Sequence, residues 1–171
     1  FERAGLSESR IKAASTASEC AERQGDAKRM ATAYNNLGLA EQAVGNNKAA
    51  LDDFEKALKI SQNIDDKLGM ANAFGNIGNV LSELGEPKKA LDHHQKALEL
   101  HREIGNKLGM AQDFGNIGNV LSELGEPKKA LDHHQKALEL HREIGNKLGM
   151  AQDFGNIGNV LSELGEPKKA L

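Results

Sequence analysis

The chain has 171 residues, 25 acidic against 22 basic side chains for a formal charge of -3, and a single cysteine, Cys20. Acidic and basic residues are interspersed rather than blocked, so no basic face exists for nucleic acid or an anionic membrane. No disulfide or cysteine cluster can form within the chain, which suits a reducing, cytoplasmic setting. No apolar run approaches the roughly 20 residues that span a bilayer, and no signal peptide is visible.

The sequence is periodic. Residues 75–114 and 115–154 are identical, and residues 155–171 begin a third copy. Tyr34, Phe74, Phe114 and Phe154 stand forty apart, as do Gly5, Gly45, Gly85, Gly125 and Gly165. One array therefore covers residues 1–171: a partial diverged unit at 1–34, a diverged unit at 35–74, two identical units, and a truncated one at 155–171. Stacked repeats touch only their neighbours and need no central core. The start on Phe1 and the stop at Leu171 suggest a fragment of a longer array.

In chain order, residues 1–4 are expected to be the tail of one helix and residues 7–24 a second helix. Ile11, Ala14, Ala17 and Ala21 form its apolar stripe, and Cys20 is expected to serve in helix packing. Arg10 stands where later units have Ala50, Ala90 and Ala130, which predicts a looser fit. The unit after Gly105 has the clearest signals. Asn106 is placed to cap a helix, as are Asp26, Asp66 and Asn146. Met110, Ala111, Phe114, Ile117, Gly118, Leu121 and Leu124 then recur at the three- and four-residue steps of one helical face. Gly125 supplies a left-handed stop, and Pro127 suits the first position of a second helix. Ala130, Leu131, His134, Ala137, Leu138, His141 and Ile144 line that helix until Gly145. Each unit reads as a helix pair, A then B, and such short turns make neighbours antiparallel.

Helix A has weak intrinsic preference. Gly109, Gly115 and Gly118 each cost about 0.8–1.0 kcal/mol relative to alanine in a helix interior. Packing must hold it, and Gly118, on the apolar stripe, is expected to mark the close approach of another backbone.

Phe114, Ile117, Gly118 and Leu121, followed by Ala130, His134 and Ala137, resemble the tetratricopeptide repeat pattern of aromatic-x-x-Leu-Gly-x-x-Tyr and Ala-x-x-x-Phe-x-x-Ala. Tyr34, Leu37, Gly38, Ala50, Phe54 and Ala57 match it more closely still. The resemblance spans essentially the whole chain. With its forty-residue period and the Gly105–Lys107 boundary, it is similar to the long-helix type of the Pins/LGN spindle-orientation scaffolds and, more loosely, to kinesin light chains. The departures are Leu121 and Glu41 in place of tyrosine, His94 and His134 in place of the aromatic, and Arg102 and Arg142 where proline is common. The resemblance implies an all-α fold, a right-handed α-α superhelix (a TPR solenoid) of antiparallel helix pairs. It also implies A helices lining a concave groove that holds peptides.

The helical projection leaves a polar row almost opposite the apolar stripe of each A helix. The rows are Asn72, Asn76, Asn79 and Glu83, then Gln112, Asn116, Asn119 and Glu123, then Gln152, Asn156, Asn159 and Glu163, with Asn36 starting the series. Asparagine both donates to and accepts from a peptide backbone. These residues form the expected site for a protein or peptide partner, and the glutamates favour a ligand with some basic character. Groove lysines and arginines of the kind that capture a free carboxylate are missing at the matching places. The bland alternative is a merely solvated helix face.

Other chemistry finds little support. His134 and His141 share a face but lie seven residues apart, about 10 Å along a helix, too far for two zinc ligands at about 2 Å. His133 and His134 diverge around the axis; His93, His94 and His101 repeat this arrangement. His134 is expected to replace the aromatic and be partly buried. Cys20 has no histidine near it in sequence. The Gly-Asn-Ile-Gly-Asn-Val run lies mid-helix without a preceding strand, unlike a phosphate loop. Lys128 and Lys129 sit beside Glu126 as a solvated pair. No metal, cofactor or catalytic residue is expected, and the chain is not expected to be an enzyme. The rival to peptide binding is head-to-tail self-association of uncapped repeat ends, or a designed or duplicated array without a specific ligand.

Overall fold

The computed structural model describes residues 2–165, with the side chains of residues 2–8, 10 and 18 excepted. Eight helices follow one another among the described residues: α1 Glu2–Gln24, α2 Ala27–Ala43, α3 Asn47–Asn63, α4 Lys67–Glu83, α5 Pro87–Glu103, α6 Lys107–Glu123, α7 Pro127–Glu143 and α8 Lys147–Glu163.

Local chemistry sets their ends. The side chains of Asp26, Asp66, Asn106 and Asn146 each accept a hydrogen bond from the backbone N–H three residues on, at 3.0, 3.2, 3.1 and 3.0 Å. Each thereby satisfies an N–H that the first turn leaves orphaned. Pro87 and Pro127 open α5 and α7, where a missing N–H costs nothing. Glycines with positive φ close the helices, among them Gly105 at 69° and Gly125 at 74°. Asp65 performs the same reversal at φ 54° without being glycine.

The start of the chain departs from expectation. Residues 2–24 form one helix, not the tail of one followed by another. Position 7 is Ser7, where α5 and α7 begin with a proline. The ring is not essential to the break, since α3 starts at Asn47 without one; Gly5 costs only about 1 kcal/mol inside a helix, and in α1 the hydrogen bonding runs on. Cys20 also differs: it is exposed and lies 3.4 Å from Nε2 of Gln24, while its neighbour Ala21 takes the packed side at 5% exposure. Ala17 is exposed as well. The side chain of Arg10 and residues 166–171 lie outside the described residues, as does Phe1.

The chain divides into two compact units, Phe1–Leu84 and Gly85–Leu171. In the first, α1 packs on α2, α2 on α3 and α3 on α4, around fully buried Ala50, Phe54, Ala71 and Val80. In the second, α5 packs on α6, α6 on α7 and α7 on α8. Its core joins Leu98, Ile117, Leu121, Ala130 and Val160, with Met110 and Phe114 against them. Val120, outside the expected stripe, is buried at 2%, whereas Ile144, inside it, is 39% exposed at the helix end.

The glycine expectation needs correction. A Cβ added to Gly118 would meet the ring of His134 at 2.6 Å, and one on Gly38 the ring of Phe54 at 2.7 Å. The close neighbour is a side-chain ring, not another backbone. A 1% exposed His134 is also fully rather than partly buried.

Candidate interaction face

The A helices, α2, α4, α6 and α8, carry the polar rows. In the first unit, Asn36, Asn72 and Glu83 are exposed and Asn76 and Asn79 half-buried. Two hydrogen bonds join α2 to α4. Asn76 Nδ2 donates to Asn35 Oδ1 at 2.8 Å, and Gln42 Nε2 donates to Glu83 Oε1 at 2.8 Å. Asn35 and Gln42 stand outside the sequence-derived rows. Their spacing of seven matches that of Asn76 and Glu83, and two helical turns on one face is the signal that identifies them. Asn36, in register with Asn76, is one position aside from the partner that reaches it.

In the second unit the rows are Gln112, Asn116, Asn119 and Glu123 on α6 and Gln152, Asn156, Asn159 and Glu163 on α8. Asn116 and Asn156 are half-buried and the rest exposed. Gly115 and Ser122 occupy the places of Asn35 and Gln42. A Cβ on Gly115 would meet nothing within 4 Å, and Ser122 Oγ is buried without a hydrogen-bond partner. Among the described residues no side chain of α6 bonds to Asn156 or Glu163 in the way Asn35 and Gln42 bond in the first unit. The same rows are thus cross-linked in one unit and open in the other.

Aromatic positions differ too. The Tyr34 hydroxyl donates to Glu22, and Lys56 Nζ lies 5.1 Å from its ring centre. The carboxylate at its oxygen, with burial second, pushes the phenol up to about 12. Phe114, at the same place, has His133 tilted against it at 5.9 Å and Lys136 Nζ at 5.9 Å.

A second set of polar side chains lies inside the second unit. His101 Nδ1 on α5 is 2.6 Å from Asp113 Oδ2 on α6, and His141 Nδ1 on α7 is 2.6 Å from Asp153 Oδ2 on α8. All four residues are buried. Each ring lies on a glycine: a Cβ on Gly109 or Gly149 would approach His101 or His141 to 2.6 Å. Burial pushes the Asp113 carboxyl up and outweighs the His101 hydrogen bond that favours its charge. These pairs escape a search along single helices because the partners sit on different helices. The diverged unit carries the missing signal: Ser61 and Ala73 stand where His101 and Asp113 do, so both positions change together. Among the described residues no three His, Cys, Asp or Glu side chains gather as a metal site. No described helix is long and apolar enough to cross a membrane. Lys128 and Lys129 are exposed, with Lys129 paired to Glu126.

The tetratricopeptide repeat family profile matches residues 29–103 and 110–171. A comparison with curated protein sequences finds no match. Among solved structures, BtubC (BKLC) from P. vanneervenii is 18% identical with a TM-score of 0.77, over 96% of this chain and 86% of that one. The apo form of RapI is 21% identical with a TM-score of 0.85, over 98% of this chain and 47% of that one. A Rap protein complexed with competence and sporulation factor is 20% identical with a TM-score of 0.84, over 94% and 45%. The chain spans just under half the length of each Rap chain. At such identities the likeness is one of fold.

Proposed function

This chain belongs to the tetratricopeptide repeat family, and we propose that it is a protein-interaction scaffold whose partner-binding face is the polar rows of the A helices, best developed on α6 and α8. The observation that carries this reading is the contrast between units. Asn76 and Glu83 are engaged by Asn35 and Gln42, whereas Gly115 and Ser122 leave Asn156 and Glu163 without such bonds. Exposed amides that donate and accept can bond an extended backbone whatever its side chains. Glu123 and Glu163, both exposed, add a preference for basic residues in that partner. The Rap protein complexed with competence and sporulation factor shares the fold, which supports a protein or peptide partner.

Binding by a library of extended peptides, with and without lysine and arginine, tests this. A selected basic peptide should lose about tenfold or more in affinity to Asn116→Ala with Asn119→Ala, the loss of one or two hydrogen bonds at about 1.4 kcal/mol per decade. The melting temperature should hardly move. Unchanged affinity would remove the polar rows from the binding face.

A further inference from the structure

All six histidines lie between positions 93 and 141, so the second unit holds every imidazole of the chain and the first holds none. His94 and His134 are 1% exposed and take the helix position that Phe54 holds, 0% exposed, in α3. The place is shaped for a flat ring, as the contacts of Gly38 with Phe54 and Gly118 with His134 show. An imidazole brings nitrogens where a phenyl has none. Nδ1 of His94 and Nδ1 of His134 are both buried without a hydrogen-bond partner. A neutral ring there leaves only an idle nitrogen. An imidazolium buries a charge and an N–H with no acceptor, which is far more costly.

The charged and titratable groups facing these rings pull both ways. His93 on α5 opposes a charge on His94, and Lys96 and Asp92 act on His93 in opposite senses. Asp153 from α8 favours a charged His134, while His133 on α7 opposes it. Asp113 from α6 and Asp153 from α8 are otherwise engaged by His101 and His141. Burial is the largest influence on both rings: it holds His134 below the ordinary histidine range and His94 at about 4. The His–Asp pairs differ in kind, since each imidazole there has a carboxylate beside it.

We infer that His94 and His134 make the second unit an acid-released module, in which protonation of two core rings loosens α5 to α8 under conditions where the first unit stays folded. The folded state prefers the neutral rings. Their contribution is therefore complete above the ordinary histidine value of 6.5 and is lost as pH falls below it, for His94 toward about 4. Only one consequence, loss of the Asn116 and Asn119 face on acidification, rests on the proposed binding function; the switch itself is read from folding alone.

The test uses the whole chain, melted by far-UV circular dichroism at about pH 7.5 and about pH 5. The transition of the second unit should fall by about 10 °C or more between them. His94→Phe with His134→Phe, which restores the ring found at Phe54, should abolish at least half of that fall. Phe54→His should install acid sensitivity in the first unit. An NMR titration of the native chain gives an independent readout that needs no variant: the His94 and His134 rings should stay neutral in the folded chain well below the ordinary histidine range. A double variant that loses as much on acidification as the native chain, or rings that titrate in the ordinary range while folded, would overturn the inference.

Discussion

Phe54 in the first unit and His134 in the second rest on a glycine in the same way, yet only the second ring can take up a proton. The joints repeat that contrast. Between α3 and α4 stand Ser61 and Ala73; between α5 and α6 stand His101 and Asp113, 2.6 Å apart. On the polar face the order reverses: the first unit is cross-linked by Asn35–Asn76 and Gln42–Glu83, and the second is open. One backbone plan thus accepts two kinds of interior and two kinds of surface. The plan fixes the helix pairing and leaves the residue types at each joint free to change together.

The largest expected effect lies at the joint. Asp113→Ala leaves buried His101 without its partner and should destabilise the second unit by about 3–5 kcal/mol, measured by urea unfolding. Adding His101→Ser to it recreates the pairing of Ser61 with Ala73 and should recover a large part of the loss. If the double variant is no better than the single one, the joint depends on something besides the pair.

Next comes the core ring. With His94 shifted from 6.5 to about 4, linkage assigns it about 3 kcal/mol of stability above pH 6.5 that disappears on approach to pH 4. His94→Phe should flatten the dependence of unfolding free energy on pH over that window, and an unaltered slope would refute the assignment.

Gly118→Ala should follow at about 1–3 kcal/mol, because its Cβ must displace the His134 ring. Gly38→Ala should do the same in the first unit against Phe54. The smallest effect has the opposite sign. Gly115 lies in the same helix as Gly118 but faces open space, so Gly115→Ala should stabilise by up to about 1 kcal/mol. Thermal melts of the two alanine variants side by side compare two glycines whose difference no helix propensity can explain.

Much of this was legible in the residues. The caps at Asp26, Asp66, Asn106 and Asn146, the stops at Gly105 and Gly125, and the starts at Pro87 and Pro127 are set by groups within a few positions of each other, so the string itself contains their causes. The exposed polar rows are readable for the same reason, since a helical face is a periodicity. The unbroken α1 was not, because Gly5 resembles the other repeat glycines, at which the chain does turn. Cys20 misled because neighbours one residue apart on a helix point in different directions, and Ala21 holds the packed one.

What the sequence determined by itself is what short range and period carry: an all-helical chain of paired elements, its boundaries from α2 onward, and most of the stripe on which each of those helices sheds water. What only the tertiary structure decided is which side chains meet across helices. Asp113 finds His101, Asn76 finds Asn35 rather than Asn36, and the ring of His134 rather than a backbone settles on Gly118. Such meetings depend on the stagger between packed helices, where an offset of one residue changes the partner. Helical periodicity leaves that offset free, and it is set when side chains on both surfaces pack together.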